Sequence, residues 1–445
     1  MNFVSEKYLI VGRTASEIAA GVEAAVSEGR LSPGAMLPPV RELASRAGVS
    51  PNTAAAAYRL LRERGVIETA GRRGTRVRPR PASTLREEIR IEVPPGARDL
   101  SKGNPDPALL PPLGDALAAA ARAHGERPAM YGTGDDEELI ALAGERLRAD
   151  GVPAGPLAIT SGTLDAVERV LAAQLRPGDA VALEDPGWTA LLDLVGVMGL
   201  RPVPMRVDDE GPLPDELGRA LRTGVRAVVI TARAQNPFGA AVSSERAGAL
   251  REVLGAYPGV LLIEDDHGSG FVNLPLHPLA GVTQRWVLTR STAKAFGPDL
   301  RVALTTGDPV TLGRLRGRQR LAAGWVSHLL QRAVAHLWRT DAVDTAAVAA
   351  SYARRRDGLV TALAGRGIPA HGRTGLNVWI PVPDETTAIT RLLARGWAAA
   401  PGARNRIATP PAIRLTVSTL AADEVERLAD DLTAALRPAS GGRYG

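Results

Sequence analysis

Apolar residues return at helical spacing in three short runs near the start of the chain. Thr14 followed by Glu17 has the spacing of a capping box, and Ile18, Val22, Ala25 and Val26 then recur up to Gly29. A second run, "PPVRELASRAGVS", turns Val40, Leu43, Ala44 and Ala47 inward and ends at Gly48. Ser50-Pro51 is an N-cap and first-turn pair for a third helix. Its apolar positions Ala54, Ala57, Tyr58 and Leu61 fall at i, i+3, i+4 and i+7 before Gly65. Two strand-prone pieces, "VIET" and "TRVR", flank the turn "AGRRG". Three helices and a hairpin predict a winged helix-turn-helix over residues 1–78.

Periodicity then lapses into Pro, Arg and Glu, which predicts a linker over 79–97 that spans at most about 60 Å when extended. From 98 to 445 strand-like runs alternate with amphipathic helices, the pattern of α/β layers. The predicted buried strands are Leu157–Thr160, Ala180–Glu184, Ala227–Thr231, Val260–Glu264, Val287–Arg290 and Val302–Thr306. Residues 366–438 read as a smaller α+β unit with strands near Asn377–Ile380 and Arg414–Ser418.

Composition narrows the class. At 445 residues the chain exceeds one ordinary core, so two or three domains are expected. No stretch approaches a membrane span, and the polar start, Met1 to Tyr8, lacks the apolar core of a signal peptide. A cytoplasmic protein is expected. The absence of cysteine excludes disulfides, thiolate catalysis and cysteine-ligated metals, and the histidines fall in no metal-like spacing.

Charge is unevenly placed. Residues 1–80 carry 13 Lys and Arg against 7 Glu and no Asp, and that excess of six equals the excess of the whole chain, 54 against 48. A nucleic-acid-binding module has this distribution, as does a solvated basic face. In a winged helix-turn-helix the third helix enters the major groove, with Asn52 and Thr53 at its start near base edges and phosphates. The wing, Arg72-Arg73-Gly74-Thr75-Arg76, is placed to reach an adjacent minor groove. From Gly29 to Val77 the residues resemble a GntR-type domain, through Leu37-Pro38, Arg41, the Asn52-Thr53 pair, Ala57-Tyr58 and Gly74-Thr75. Pro51 stands where that family often has a basic residue.

The large domain has its own chemistry. The chain holds only three lysines, Lys7, Lys102 and Lys294, and only Lys294 follows a predicted buried strand. Lysine forms an imine with an aldehyde; arginine does not. "LLIEDDH" closes a strand with Asp265, placed to pair with a protonated pyridine nitrogen and so keep pyridoxal 5′-phosphate (PLP) an electron sink. "ARAQNPFG" offers Asn236 to the ring hydroxyl. "ITSGTLDA" passes from strand to helix, so the amides of Gly162 and Thr163 can cradle a phosphate, with Ser291 and Arg301 as further donors. Each motif alone is weak, but the ordered set at strand ends points to PLP.

That set resembles fold-type I aminotransferases over about residues 99–440. The resemblance implies that Lys294 is the lysine that carries PLP, that Asp265 and Asn236 are ring partners, and that Arg414 grips a ligand carboxylate. It further implies that Tyr131 reaches the phosphate of a neighbouring subunit and that Trp188 stacks on the cofactor. His267 replaces a tyrosine common in relatives; its imidazole can bond the ring hydroxyl, with a charge that responds to pH, or cap the loop. Ala190 stands where some relatives carry a second arginine, Phe238 replaces a threonine and Ala293 a serine.

A GntR-type domain followed by an aminotransferase-like domain is the arrangement of the MocR subfamily. It implies a homodimeric regulator of double-stranded DNA that reads PLP, a vitamin B6 form, or an amine or amino acid joined to PLP. Two other readings stay open: a working aminotransferase with an appended DNA-binding module, and a DNA-binding dimer whose large domain holds no cofactor.

Overall fold

The three N-terminal runs fold as α1 (Ala15–Ser27), α2 (Val40–Ala47) and α3 (Pro51–Glu63). This computed structural model describes residues 12–27, 30–32, 34–63, 66–69, 74–77, 86 and 92–437; Gly29, Gly65, Arg72, Arg73 and most of the expected linker lie outside them. The capping box forms, with the Glu17 amide donating to Thr14 Oγ1 at 3.2 Å and the Glu17 carboxylate accepting from the Thr14 amide at 3.4 Å. α2 stops at Gly48, whose φ of 64° places it in the left-handed region that glycine enters without steric cost. Ser50 Oγ accepts the Thr53 amide at 3.1 Å and so caps α3. Ile18, Val22, Leu43, Ala54, Tyr58 and Leu61 share one buried core, and the Tyr58 hydroxyl donates to the Pro38 carbonyl at 2.6 Å.

The hairpin gains a strand that periodicity did not disclose. β1 (Met36–Leu37) pairs antiparallel with β3 (Thr75–Val77), which also pairs with β2 (Ile67–Thr69). Two residues ahead of Pro38-Pro39 are too short a run to show alternation.

Thirteen further strands build the large domain: β4 (Arg98–Asp99), β5 (Leu157–Thr160), β6 (Ala180–Asp185), β7 (Arg201–Asp208), β8 (Gly211–Pro212), β9 (Ala227–Thr231), β10 (Leu261–Asp266), β11 (Arg285–Ser291), β12 (Ala303–Gly307), β13 (Asn377–Pro381), β14 (Trp397–Ala398), β15 (Ala400–Pro401) and β16 (Ala412–Thr416). Eight form one sheet in the order β5-β12-β11-β10-β9-β6-β7-β8. β6, β9, β10 and β11 are parallel, and β12 runs against both β11 and β5. β6, β9 and β10 are buried at every position, which is why they read as near-continuous apolar runs. Val228, Ile230, Leu262 and Leu288 pack with Leu217, Leu221, Leu250 and Leu254 of helices Pro214–Arg222 and Ser244–Gly255.

The six strands predicted for this sheet are present, shifted by at most two residues. β7 was missed because "RPVPMRVD" is half-exposed and interrupted by two prolines. The C-terminal unit is an antiparallel β13-β16-β15 sheet, with β16 starting two residues ahead of the expected Arg414. β4 pairs in parallel with β14, so the first residues of the large domain are tied to its last unit.

One buried charge cluster stands behind the ends of these strands. Asp266 is fully buried and accepts two bonds from Arg233, at 2.9 and 2.8 Å, and one from Arg290 Nε at 2.8 Å. Arg290 also pairs with Asp150 at 2.6 Å. Removing one member of such a cluster leaves buried charge uncompensated. Asp266→Ala is therefore expected to lower stability by about 3–5 kcal/mol, read as a fall in the urea midpoint; a change under about 1 kcal/mol would show that the two arginines find other partners.

Candidate cofactor and effector site

Lys294, Asp265 and Asn236 lie at or beyond the carboxyl ends of parallel strands, where open α/β sheets place their ligand crevice. Lys294 lies three residues past β11, in the short helix Ala293–Phe296. Its ammonium donates to the backbone carbonyl of Gly103. Burial pulls its pKa down to about 8, and the nearby Arg414 charge adds to that effect. An amine with this pKa holds a larger neutral fraction near physiological pH than an ordinary lysine, and the neutral form is the one that attacks a carbonyl carbon.

Asp265 is the penultimate residue of β10, and strand alternation turns it away from the face on which Asp266 is clamped. Its Oδ2 lies 3.0 Å from His267 Nδ1, and its Oδ1 is buried without a hydrogen bond. His267 Nε2 lies 2.8 Å from the Ala234 carbonyl. Both ring nitrogens therefore face oxygen atoms of the protein. Burial opposes a positive charge on the ring, but the Asp265 carboxylate and the two hydrogen bonds outweigh it and raise the His267 pKa. Both of its nitrogens are engaged by protein oxygens, and its contact with Asp265 orients that carboxylate. Ala234 holds its carbonyl there in a left-handed conformation, φ 57°, unusual for a residue with a Cβ. The Ala234 amide donates to Thr374 Oγ1 at 3.0 Å.

Asn236 Oδ1 accepts from Arg414 Nη1 at 3.2 Å and from Asn377 Nδ2 at 3.3 Å. Its loop is anchored by two residues that sequence reasoning passed over. Gln235 Nε2 donates to Glu184 at 3.1 Å and to the Pro186 carbonyl at 2.8 Å, while Gln235 Oε1 accepts the Phe238 amide at 3.0 Å. Glu184 also accepts from the Thr231 amide and hydroxyl, and burial pushes its pKa up to about 7. The available signal was a pair of carboxylates closing the apolar run "AVALED".

At the other end of the site β5 leads through Ser161-Gly162 into the helix Thr163–Gln174. Gly162 has φ +94°, and a Cβ there would stand 2.5 Å from Arg301 Nη2. Arg301 itself adopts a left-handed conformation, φ 47°, and donates to the Ser161 carbonyl at 2.9 Å. Thr163 Oγ1 is buried without a hydrogen bond. Ser291 ends β11 and accepts the Ala293 amide at 3.2 Å.

These features fit PLP. An unbonded carboxylate oxygen at one end suits a protonated ring nitrogen, and a glycine turn, a spare hydroxyl and a guanidinium at the other suit a phosphate. Trp188 is half-buried just ahead of helix Thr189–Val197. Tyr131 is not brought to the site: it is 93% exposed and meets Trp325 edge-on. In the N-terminal module Arg41 and Asn52 are exposed on α2 and at the start of α3, and Thr53 is half-buried. Gly74 precedes β3, Thr75 begins it, and Arg76 pairs with Glu68 at 2.5 Å.

Residues 98–432 match the family described as aminotransferase class I and II, and residues 14–77 match the gntR family of bacterial regulatory proteins. The chain belongs to the MocR-type transcriptional regulators. This regulator is 39% identical over 435 residues to the vitamin B6 salvage pathway transcriptional repressor PtsJ of Salmonella typhimurium, covering 96% of this chain and 100% of that protein. It is 26% identical over 347 residues to the probable rhizopine catabolism regulatory protein MocR of Rhizobium meliloti, covering 71% of this chain and 69% of that protein. The α-aminoadipate aminotransferase LysN of Thermus thermophilus, solved with a phosphopyridoxyl-leucine adduct, superposes with a TM-score of 0.69 at 22% identity over 80% of this chain and 95% of that one. That likeness is one of fold.

The depressed Lys294 pKa sets a pH dependence. Below about 8 the neutral amine is the minor form, so the rate of covalent PLP attachment at limiting PLP is expected to rise about tenfold per pH unit and level off above it. Stopped-flow absorbance from pH 6 to 10 checks this; a rate still climbing to pH 10 would mean that Lys294 keeps an ordinary lysine pKa.

Proposed function

We propose that this regulator binds PLP covalently through Lys294 and alters its hold on an operator when PLP, another vitamin B6 form, or an amine or amino acid joined to PLP occupies the site. The observation that carries the reading is the juxtaposition of a buried, readily neutralised Lys294 amine with a buried Asp265 oxygen that has no partner. When bound, PLP supplies an electron-withdrawing ring to whatever amine is joined to its aldehyde carbon. Asp265, braced by His267, holds a proton on the ring nitrogen. Gly162, Thr163, Ser291 and Arg301 hold the phosphate, and Asn236 and Trp188 position the ring. Arg414 receives a carboxylate. The vitamin B6 title of the 39%-identical relative supports vitamin B6 as the signal.

The N-terminal module, residues 1–78, engages double-stranded DNA through Arg41, Asn52, Thr53 and the wing residues Arg72 to Arg76, and the large domain, 98–445, binds effector and dimerises. Met130, Tyr131, Leu321, Trp325 and Leu329 are all exposed; apolar side chains left in water in this way mark a contact surface. A homodimer in which Tyr131 reaches the partner's phosphate site gives them a role. A cytoplasmic location accords with DNA binding, and no helix among the described residues is long and apolar enough to cross a membrane.

Absorbance spectroscopy tests the cofactor reading. Added PLP is expected to give a protein-bound band that borohydride fixes, and Lys294→Ala is expected to abolish the fixed adduct. Retention of the adduct would assign it to Lys7 or Lys102. Turnover of amino acids with 2-oxo acid acceptors would instead identify a working aminotransferase. For the DNA module, Arg41→Ala is expected to weaken duplex binding and lower its salt slope by about one; an unchanged slope removes Arg41 from the phosphate contacts.

A further inference from the structure

Two of the cations assigned to ligand are held by the protein's own backbone. β4 is pinned beside β14, with the Arg98 amide donating to the Gly396 carbonyl at 2.8 Å and the Leu100 amide to the Ala398 carbonyl at 2.9 Å. The Leu100 carbonyl accepts the Thr416 amide at 2.7 Å, and the Leu100 side chain is fully buried. Past Leu100 the chain turns around Asp99. Its carboxylate accepts the Ser101 amide at 3.0 Å and the Ser101 hydroxyl at 2.6 Å, and pairs with Lys102 at 3.0 Å. This turn aims two backbone carbonyls into the site. The Ser101 carbonyl accepts from Arg414 Nη2 at 2.6 Å, and the Gly103 carbonyl accepts from Lys294.

The two contacts answer to different ligand groups. Joining the neutral Lys294 amine to the PLP aldehyde forms a C=N bond and expels the aldehyde oxygen as water, which carries off both amine hydrogens. No N–H then remains for the Gly103 carbonyl. A ligand carboxylate on Arg414 replaces a neutral acceptor with a charged one, roughly twice as strong a hydrogen-bond partner. An amine without a carboxylate offers no such exchange at Arg414.

We propose that Asp99–Gly103 is an internal competitor, a strap whose Gly103 carbonyl yields to PLP and whose Ser101 carbonyl yields only to a carboxylate-bearing ligand. This rests on the reading of Lys294 as the PLP lysine. The strap follows directly on the chain that runs back to the helix-turn-helix, so its displacement is the local event from which a signal to that module starts. It gives the site two graded responses, one to PLP and one to an amino acid joined to it.

The test uses the full chain and three probes: PLP, the reduced adduct phosphopyridoxyl-L-alanine, and phosphopyridoxyl-ethylamine, which lacks the carboxylate. Asp99→Ala frees the strap, whereas Asp99→Asn keeps an acceptor for the Ser101 amide. Asp99→Ala is expected to tighten the alanine adduct about tenfold, to tighten PLP to a lesser degree, and to leave the ethylamine adduct unchanged. Asp99→Asn is expected to stay near wild type. Ser101→Ala, which removes only the hydroxyl bond, serves if Asp99→Ala does not fold, with a smaller shift in the same direction. In the wild type, hydrogen exchange over residues 99–104 is expected to rise with the alanine adduct and not with the ethylamine adduct. Equal shifts for both adducts, or slower exchange with the alanine adduct, would overturn the strap while leaving PLP binding intact. Absence of any PLP-bound band in the wild type would instead remove the cofactor reading, and the strap with it.

Discussion

The geometry of the site depends on one buried carboxylate that never touches it. Asp266, gripped by Arg233 and Arg290 with no exposure to solvent, fixes the end of β10 against its neighbours. Because side chains alternate across a strand, clamping Asp266 on one face commits Asp265 to the other. The same cluster holds three segments at once: Arg233 lies in the loop that carries Asn236, and Arg290 lies four residues before Lys294. The pairing need not stabilise the fold relative to an apolar substitute. Its value lies in orientation, since Asp265, Asn236 and Lys294 follow separate strands whose ends the cluster holds together.

Around that frame, most polar groups of the site are already engaged by the protein. Asn236 is shared by Arg414 and Asn377, His267 spends both nitrogens on Asp265 and Ala234, and Arg414 and Lys294 rest on backbone carbonyls. The buried Oδ1 of Asp265 and Oγ1 of Thr163 are exceptions, and in the proposed reading they meet the ring nitrogen and the phosphate of PLP. In a regulator this arrangement has a clear use. A ligand that replaces existing bonds changes what the protein holds, and that differential interaction can shift a conformational equilibrium.

Much of the fold was legible because its rules are local. The caps at Thr14, Ser50 and Gly48 depend on residues three or four apart, and the apolar runs of β6, β9 and β10 follow from burial on both faces. Strands without those signals were lost: β1 is too short, and β7 is half-exposed and broken by proline. Lys294, Asp265, Asn236 and Gly162 stood out because each ends a recognisable strand. Glu184 and Gln235 did not, since their importance lies in a bond between residues fifty-one positions apart.

His267 shows where local reading ends. From sequence it had two open roles, because an imidazole can serve as donor, acceptor or cap; only the fold sets its two nitrogens against Asp265 and the left-handed Ala234. The chain by itself determined the two-part organisation, the basic N-terminal module, the order of strands and helices, and the residue types of the site, because spacing and composition are properties of neighbours along the chain. Tertiary structure alone decided that Tyr131 lies on the surface of its own chain, that His267 meets Asp265, and that the carbonyls of Ser101 and Gly103 rest on Arg414 and Lys294. Those contacts join residues far apart in sequence, and no local pattern encodes a distance across the fold.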